Sequence, residues 1–529
     1  MTESIGAKIR RNTRASMMAW GWGQAIFFVR MPIYIAALGT EHYGLWMLAF
    51  TIMNYFELNN FGINTAFIKY TAQYHAQQDY RRLAEVLSTG MAAAIAIGLA
   101  GMAVLLAFNS HIIAFFQLEA ENVADARFVV LGVGVATALK IAFGVYRSAL
   151  TGIQRLDIVN GVHVLFVTLE LVLVATLFYL GFGIRVLVLG YLLSTIGSTL
   201  AMAWYLHRLL PDVRLNPLRA RRGSAYEMVS LGGRMQLLGA VALIVATIDN
   251  VFLTRAEGLA FFGAYVIAKR FASRAQSAAL TAIGTLAPAS ADLIARKDYT
   301  RLSHVYGTAM RICCLGCAYL FGFIYVNSDH AMMLFMGARR YDPLTPLALQ
   351  YLCIAVTVHT FTGPGTSMLR GAGMPLREIV YQLVTLAAFA GIFYYARAIG
   401  STRLLIMSYP IGLAVGSTVF LLMANPFFRC GLLNPLPRMG LLLLAGPGLA
   451  WPVRAVAEWL GPAEAASRWV ALGRIVIMGA PYTVLFALAA WFVPGLKRAD
   501  KEQIIKFVPM GQWLMRRFLS ASQNTGSAH

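Results

Sequence analysis

Apolar residues occur along the chain in long runs that short polar segments separate. The runs reach about 20 residues or more, the length that an α-helix needs to cross about 30 Å of hydrocarbon. They predict an all-α, polytopic membrane protein with about fourteen transmembrane helices. The approximate limits are 14–38, 43–68, 85–108, 123–147, 157–181, 186–207, 227–254, 260–290, 303–326, 343–369, 376–397, 402–424, 438–460 and 469–494.

The polar segments between these runs differ in charge from one side of the membrane to the other. One set is rich in Lys and Arg, at 8–14, 81–82, 147–155, 208–222, 296–301, 370–377 and 429–438, and the tail that follows the last run is similar. The opposite set holds few cations and carries the carboxylates Glu41, Glu119, Glu121 and Asp125. Because basic loops stay on the cytoplasmic side, the pattern predicts that both termini are cytoplasmic.

An internal repeat with a spacing of 219 residues organises the chain. The matches at this spacing are Asp79-Tyr80 with Asp298-Tyr299, Gly44 with Gly263, and Gly152 with Gly371. Each repeat holds six predicted spans, and an even number keeps both repeats in the same orientation. The sequence therefore predicts two parallel six-helix bundles around a central cavity.

The spans and the repeat together predict five segments. They are an N-terminal six-helix bundle (1–210), a basic cytoplasmic linker (211–226), a C-terminal six-helix bundle (227–425), two appended helices, 13 and 14 (426–495), and a cytoplasmic tail (496–529). The tail places Ile504, Phe507 and Trp513 among Lys and Arg, which favours an amphipathic segment on the inner membrane surface. A disordered tail is the alternative.

Composition narrows the class of function. With 59% hydrophobic and 13% charged residues, the chain has too little polar surface for a soluble protein. The net charge of +21 lies in loops and no nucleic-acid-binding motif accompanies it, so no nucleic-acid partner is expected. Five cysteines, an odd number, imply no disulfide framework. No Walker motif, metal-ligand cluster or Ser/His/Asp set is present in the sequence, which predicts a transporter without a cofactor or bound metal and not an enzyme.

Three cations stand near the middle of the eighth apolar run. They are Lys269, Arg270 and Arg274, and each ionised side chain would cost about 2.5–3.5 kcal/mol if it faced lipid. Arg270 and Arg274 are one helical turn apart and share a face, which suits paired hydrogen bonds to a phosphate group. Two alternatives stay open: a buried ion-pair network, and snorkelling from a helix end if the span is misplaced.

Other charges in the apolar runs are related by the repeat. Arg30 in the first span is equivalent to Asp249 in the seventh, so a two-fold axis could bring opposite charges together. We predict that Arg30 and Asp249 pair as an outer gate when the cavity opens inward. Separate partners for each residue are the alternative.

Several further polar residues are candidates for substrate binding or ion coupling. Lys140 in the fourth span is equivalent to His359 in the tenth, and His359, Glu57 and Glu170 are candidates for ion coupling because histidines and carboxylates can titrate. Asn54 and Glu57 form a polar patch of the kind that binds sugars. Polar side chains also hold helices together, and that interpretation stays open for His359, Asn54 and Glu57.

Short motifs in both repeats resemble bacterial polysaccharide flippases of the Wzx type. In the first repeat these are the stretches from Leu38 to Trp46, from Leu58 to Ile63 and from Tyr70 to Gly90; in the second they are Ile248 to Arg255, Phe262 to Tyr265 and Leu369 to Pro375. The resemblance covers most of residues 10–425 and is firmer for the wider multidrug/oligosaccharidyl-lipid/polysaccharide exporter superfamily than for one subfamily.

This resemblance implies a MATE-like fold that works by alternating access. It implies as substrate a polyprenyl-pyrophosphate-linked oligosaccharide, flipped across the bacterial inner membrane for O-antigen, capsule or exopolysaccharide synthesis. A cationic cavity for that substrate would comprise Lys269, Arg270, Arg274 and Lys140, with Asn54 and Glu57. A polysaccharide polymerase and a chain-length regulator are the implied protein partners.

Other functions are less consistent with the residues. A lipid II flippase of the same fold would use the same chemistry on a different sugar. A multidrug or cation antiporter would need an anionic cavity, whereas the eighth span is cationic. A membrane glycosyltransferase or polymerase would need catalytic carboxylates or a large outer loop, and the sequence has no long loop.

Overall fold

The computed structural model describes residues 5–57, 62–219, 222–280, 283, 286–374, 376–459 and 467–492. Within these ranges the chain is all-helical apart from turns and short connections, as predicted. The helices are α1 (Ile5–Glu57), α2 (Ile63–Ala76), α3 (Tyr80–Phe115), α4 (Ala120–Gly152), α5 (Leu156–Tyr179), α6 (Arg185–Leu209), α7 (Arg222–Leu280), α8 (Leu286–Ala295), α9 (Tyr299–Val326), α10 (Ser328–Met336), α11 (Leu344–Thr360), α12 (Thr362–Gly371), α13 (Arg377–Ala398), α14 (Thr402–Phe427), α15 (Leu436–Trp459) and α16 (Arg468–Phe492). The predicted amphipathic tail, 496–529, lies outside the described residues.

Twelve helical stretches in the described ranges are long and apolar enough to cross a membrane. Two of them, in α1 and α7, bend at Gly39 (φ 81°, ψ 177°) and at Gly258 (φ 84°, ψ −179°). This extended conformation with positive φ is open almost only to glycine, so each bend separates two helical segments. Counting each bent helix as two gives the fourteen segments that the sequence predicts.

The predicted second and eighth spans differ from the observed helices. The second was expected to run over 43–68, but α1 ends at Glu57 and α2 begins at Ile63, after Gly62 in a left-handed conformation. The eighth was expected over 260–290, but α7 ends at Leu280 and α8 begins at Leu286. Hydropathy averaged over a span does not register the backbone conformation of a single residue such as Gly62.

The backbone repeats with the same 219-residue spacing as the sequence. Residues with positive φ recur in four pairs at this spacing: Gly39 with Gly258, Gln78 with Lys297, Gln154 with Gly373, and Gly181 with Gly400. Asp79 and Asp298 begin equivalent helices, and their side chains accept hydrogen bonds from the backbone N–H groups of Arg82 (2.9 Å) and Arg301 (3.0 Å). The internal repeat is thus confirmed at the level of individual turns.

The chain forms two compact units. Unit 1 comprises Met1–Ile267 and Phe335–Asp342. Part of its core lies among α2 to α6, where Phe67, Leu87, Leu150 and Leu206 are fully buried. This packing holds α4 and α6 side by side, which positions the polar residues of unit 1 described below.

Unit 2 comprises Ala268–Leu334 and Pro343–His529. Within it, the predicted appended helices α15 and α16 pack against α9. A Cβ on Gly322 of α9 would lie 2.7 Å from the backbone of Gly446 in α15, and the hydroxyl of Tyr482 in α16 donates to the carbonyl of Tyr319 (2.8 Å). The appended hairpin is therefore an integral part of this unit.

Candidate functional site

The three cations of the eighth span lie in the straight part of α7 that follows the bend at Gly258. Arg270 is about 18 Å along the helix from that bend, at a rise of 1.5 Å per residue. The segment from this bend to Leu280 is about as long as a hydrocarbon layer of about 30 Å, and Arg270 is near the middle of that segment. Continuous helix through Leu280 keeps Arg270 and Arg274 on one face, as predicted.

The surroundings of these cations differ. The Nζ atom of Lys269 lies 4.4 Å from the ring centroid of Tyr409 in α14, a cation–π contact within unit 2. Arg270 is half-buried and forms no ion pair or side-chain hydrogen bond with the described part of the chain, and Arg274 is exposed. The guanidinium group of Arg270 therefore keeps its donors available for a ligand.

Arg30 and Asp249 both lie in unit 1, and each has its own partner there. Arg30 forms an ion pair with Glu170 of α5 at 3.3 Å, and the Glu170 side chain is only 7% exposed. Asp249 is fully buried and accepts a hydrogen bond from the hydroxyl of Tyr265 (2.9 Å). This arrangement matches the alternative of separate partners, and the Arg30–Asp249 outer gate stays a prediction.

Lys140 of α4 contacts a cluster of aromatic rings in unit 1. Its ammonium group donates to the hydroxyl of Tyr191 in α6 and lies 4.4 Å from the centroid of the same ring. Phe50 packs edge-on against Tyr191 with centroids 5.2 Å apart, and Trp46 packs against both rings at 4.9 and 6.1 Å. Sequence reasoning identified Lys140 but not the aromatic residues, because they come from helices far apart along the chain.

The other two candidates of the first repeat extend this cluster along α1. Trp46, Phe50, Asn54 and Glu57 follow a spacing of three to four residues and so share one face of the helix. Asn54 is half-buried and Glu57 is exposed, and neither makes a side-chain hydrogen bond or ion pair with the described residues. The structure thus places Lys140, Asn54 and Glu57 along one side of unit 1.

His359 lies at the end of α11 in unit 2. Its Nδ1 atom is 3.1 Å from the hydroxyl of Ser417 in α14, and its ring packs near that of Tyr381. This is the helix-bridging role that the sequence left open for His359, and its role in ion coupling stays a prediction.

A charge network in unit 2 was not predicted. Arg454 of α15 binds both carboxylate oxygens of Asp329 (2.9 and 2.7 Å) and one of Glu458 (2.6 Å). His330 contacts Asp329 at 3.2 Å and Arg474 of α16 at 3.5 Å. Burial acts to raise the pKa of Asp329, but the hydrogen bond and charge of His330, together with Arg454, outweigh it and hold the pKa at about 2. The network fastens α15 and α16 to α10.

Carboxylates of two predicted outer segments also come together, although the sequence showed no metal-ligand cluster. Oxygens of Glu41, Glu119 and Glu121 lie within 4.8 Å of one another, and Glu41 accepts a hydrogen bond from Asn122 at 2.6 Å. Sequence reasoning placed the three residues on the same side of the membrane but gave no reason for them to meet.

Solved structures of known transporters share this fold. An inward-facing multidrug resistance transporter of the MATE family and MOP superfamily superimposes with a TM-score of 0.67 at 17% identity, covering 77% of this chain and 94% of that one. A MOP-superfamily transporter from Pyrococcus furiosus, described as having a binding pocket of reversed polarity, gives 0.59 at 18% identity over 80% and 96%. A MATE transporter in a bent conformation gives 0.57 at 17% identity over 83% and 97%. These likenesses confirm the expected MATE-like fold.

Sequence comparison identifies the family. No curated protein sequence matches the chain. The family model of polysaccharide biosynthesis proteins matches residues 9–294, more than half of the chain, and that match includes the first repeat and the span-eight cations. It agrees with the twelve membrane-length stretches and the MOP-superfamily fold. The chain therefore belongs to the polysaccharide biosynthesis protein family.

Proposed function

We propose that the chain is a flippase of the bacterial inner membrane that moves a polyprenyl-pyrophosphate-linked oligosaccharide from the inner to the outer leaflet by alternating access. The product would serve the synthesis of O-antigen, capsule or exopolysaccharide. The observation that carries the proposal is Arg270: a half-buried guanidinium group near the middle of a membrane-length segment of α7, with no ion-pair partner in the described chain.

The energetics favour an anionic ligand at this position. A cation at the centre of a membrane helix costs about 2.5–3.5 kcal/mol unless water, a counter-ion or a ligand compensates it. A pyrophosphate group offers several charged oxygens, and two guanidinium groups on one helix face can bind them through paired hydrogen bonds. The family, which is one of polysaccharide biosynthesis, supports a glycan attached to that group.

The same cations argue against the multidrug or cation antiporter. A cationic drug would be repelled by Lys269, Arg270 and Arg274, whereas an anionic headgroup is attracted. A lipid II flippase shares the pyrophosphate chemistry and differs only in the sugar, so substrate comparison separates it from the proposed function.

The experiment is a flipping assay in proteoliposomes with a fluorescent polyprenyl-pyrophosphate oligosaccharide. The wild-type protein is expected to expose the headgroup in the opposite leaflet, and Arg270→Ala with Arg274→Ala is expected to lower the initial rate by at least about tenfold, as loss of charge-assisted hydrogen bonds implies. Arg296→Ala is the matched control, because Arg296 is exposed and forms an ion pair with Asp292, one turn away on the same exposed helix face. A wild-type protein that moves no such lipid would contradict the function; an unaffected double variant would remove the site.

A further inference from the structure

Lys140 is a further cation in an apolar run, and it is not part of the pyrophosphate site proposed at Arg270 and Arg274. Like Arg270, it forms no ion pair within 4 Å of a carboxylate in the described chain. Its direct contacts are the hydroxyl and ring of Tyr191, and its charge also interacts at longer range with the carboxyl of Glu170. It belongs to unit 1, whereas the span-eight cations belong to unit 2. An ammonium group has three donors, and the hydroxyl of Tyr191 uses one.

The position of Tyr191 on α6 indicates which side of the helix the pair occupies. Leu189, Leu193, Ile196 and Leu200 are 43 to 65% exposed and recur at helical spacing, which is the pattern of a lipid-facing stripe. Tyr191 is two residues from both Leu189 and Leu193, about 200° around the helix at 100° per residue. Tyr191 and Lys140 thus lie on the side of α6 away from the lipid-facing stripe.

Lys140 is exposed, although it lies in the interior of a membrane-length helix and away from that stripe. Its ring partners are held firmly: Trp46 is only 4% exposed and supports both Phe50 and Tyr191, which are half-buried. The result is a fixed cation with an aromatic surface beside it. One turn further along α1 the amide of Asn54 is available on the same face.

We propose that Lys140, Phe50, Tyr191 and Asn54 form a subsite for an acidic sugar of the transported glycan, which rests on the proposed function and specifies its substrate class. The sugar carboxylate accepts from the Lys140 ammonium group, which Tyr191 holds in place, and the apolar C–H face of the sugar ring lies on the half-buried ring of Phe50. The Asn54 amide binds a neighbouring hydroxyl. The repeat unit therefore carries a negative charge of its own, in addition to the pyrophosphate.

Two matched substrates test this subsite. Both are polyprenyl-pyrophosphate trisaccharides that differ at one sugar, glucuronate in one and glucose in the other. The measured quantity is the ratio of initial flipping rates, acidic to neutral, in wild-type proteoliposomes. We expect a ratio of about ten, the low end for a hydrogen bond to a charged group.

The variants separate the subsite from the pyrophosphate site. Lys140→Gln is expected to bring the ratio to about one, and Lys140→Arg to keep it well above one because the charge remains. Arg270→Ala with Arg274→Ala is expected to lower both rates and leave the ratio unchanged, since both substrates carry the pyrophosphate.

Two results would overturn the subsite while leaving the flippase intact. One is a wild-type ratio near one; the other is a Lys140→Gln protein that slows both substrates equally, which would assign Lys140 to the pyrophosphate or to folding. Chromatographic elution and thermal unfolding identify any variant that misfolds. The ratio of rates for the wild-type protein tests the subsite without any variant, so misfolding cannot affect it. A wild-type protein that moves neither lipid would contradict the proposed function itself, and the subsite with it.

Discussion

Gly44 and Gly263, which occupy equivalent positions in the two repeats, pack directly against each other in unit 1. A Cβ on Gly263 would lie 1.9 Å from the carbonyl oxygen of Thr40, and one on Gly44 would lie 2.4 Å from that of Leu259 and 3.1 Å from the Gly263 nitrogen. The segments after the bends of α1 and α7 therefore meet backbone to backbone.

The first prediction concerns this contact. Gly263→Ala places a methyl group against a backbone carbonyl that cannot rotate away, so the two helices must separate. We expect a loss of about 1–3 kcal/mol, the usual cost of overpacking. Thermal unfolding in detergent, followed by intrinsic fluorescence, measures the change.

Gly161→Ala in α5 is the matched control because nothing lies within 4 Å of its added Cβ. Its stability should stay the same or rise by up to about 1 kcal/mol, since alanine favours a helix over glycine. Equal melting temperatures for Gly263→Ala and Gly161→Ala would mean that the helices do not pack this closely.

Much of the fold follows from sequence pattern alone, because few kinds of backbone structure can cross a membrane. The lengths of the apolar runs predict the spans. Matching motifs 219 residues apart, such as those that contain Asp79 and Asp298, predict the repeat, and the equivalent helix N-termini at these two residues confirm it. The break near Gly62 was missed because hydropathy measures average polarity and not backbone conformation.

The candidate sites were less accessible to such reasoning. Charged residues inside apolar runs are unusual, and this makes Arg30, Lys140 and Arg270 stand out in the sequence. The pattern does not show which residue each of them contacts. Glu170 pairs with Arg30 although it is 140 residues away, and Tyr191 meets Lys140 across two helices. Such partners depend on how helices rotate and pack, which the period of a single helix does not determine.

The second prediction concerns the ion pair between Arg30 and Glu170. Arg30→Ala leaves a carboxylate that is 7% exposed without its counter-charge, and we expect a loss of about 3 kcal/mol, the lower end for a buried pair because Arg30 itself is 30% exposed. Glu170→Gln should cost about 1 kcal/mol, since the remaining Arg30 is only partly buried and keeps its contact with the ring of Tyr34.

The double variant, Arg30→Ala with Glu170→Gln, distinguishes an ion pair from two independent packing effects. It should be more stable than Arg30→Ala alone, because the carboxylate that lacked a partner is gone. Additive losses in thermal unfolding would count against the pair.

The third prediction is a pH dependence at Asp329. The pKa of this carboxyl is about 2, below its ordinary value of 3.8, so its ionised form stabilises the folded protein above pH 4. That contribution is lost as the pH falls from about 4 toward 2. Asp329→Asn should lower the melting temperature at every pH from 7 to 5, and the difference from wild type should be lost only below pH 4.

Asp292→Asn serves as the control for Asp329→Asn, because Asp292 pairs with Arg296 on an exposed surface and should change stability little. A difference that disappears between pH 7 and pH 5 would mean that Asp329 is protonated well above pH 4, and it would contradict the prediction.

The fourth prediction uses the repeat as its own control. Asp79 and Asp298 cap equivalent helices with nearly identical geometry, each accepting from the backbone N–H three residues on. Asp79→Ala and Asp298→Ala should each cost about 1 kcal/mol, the typical value for losing such a cap, whereas Asp→Ser at either position should retain most of the stability because its hydroxyl also accepts. Thermal unfolding of the four variants, under one set of conditions, gives two matched pairs. The prediction fails if one alanine variant loses stability and the other does not. The two caps would then be equivalent in geometry but would contribute differently to the stability of the protein.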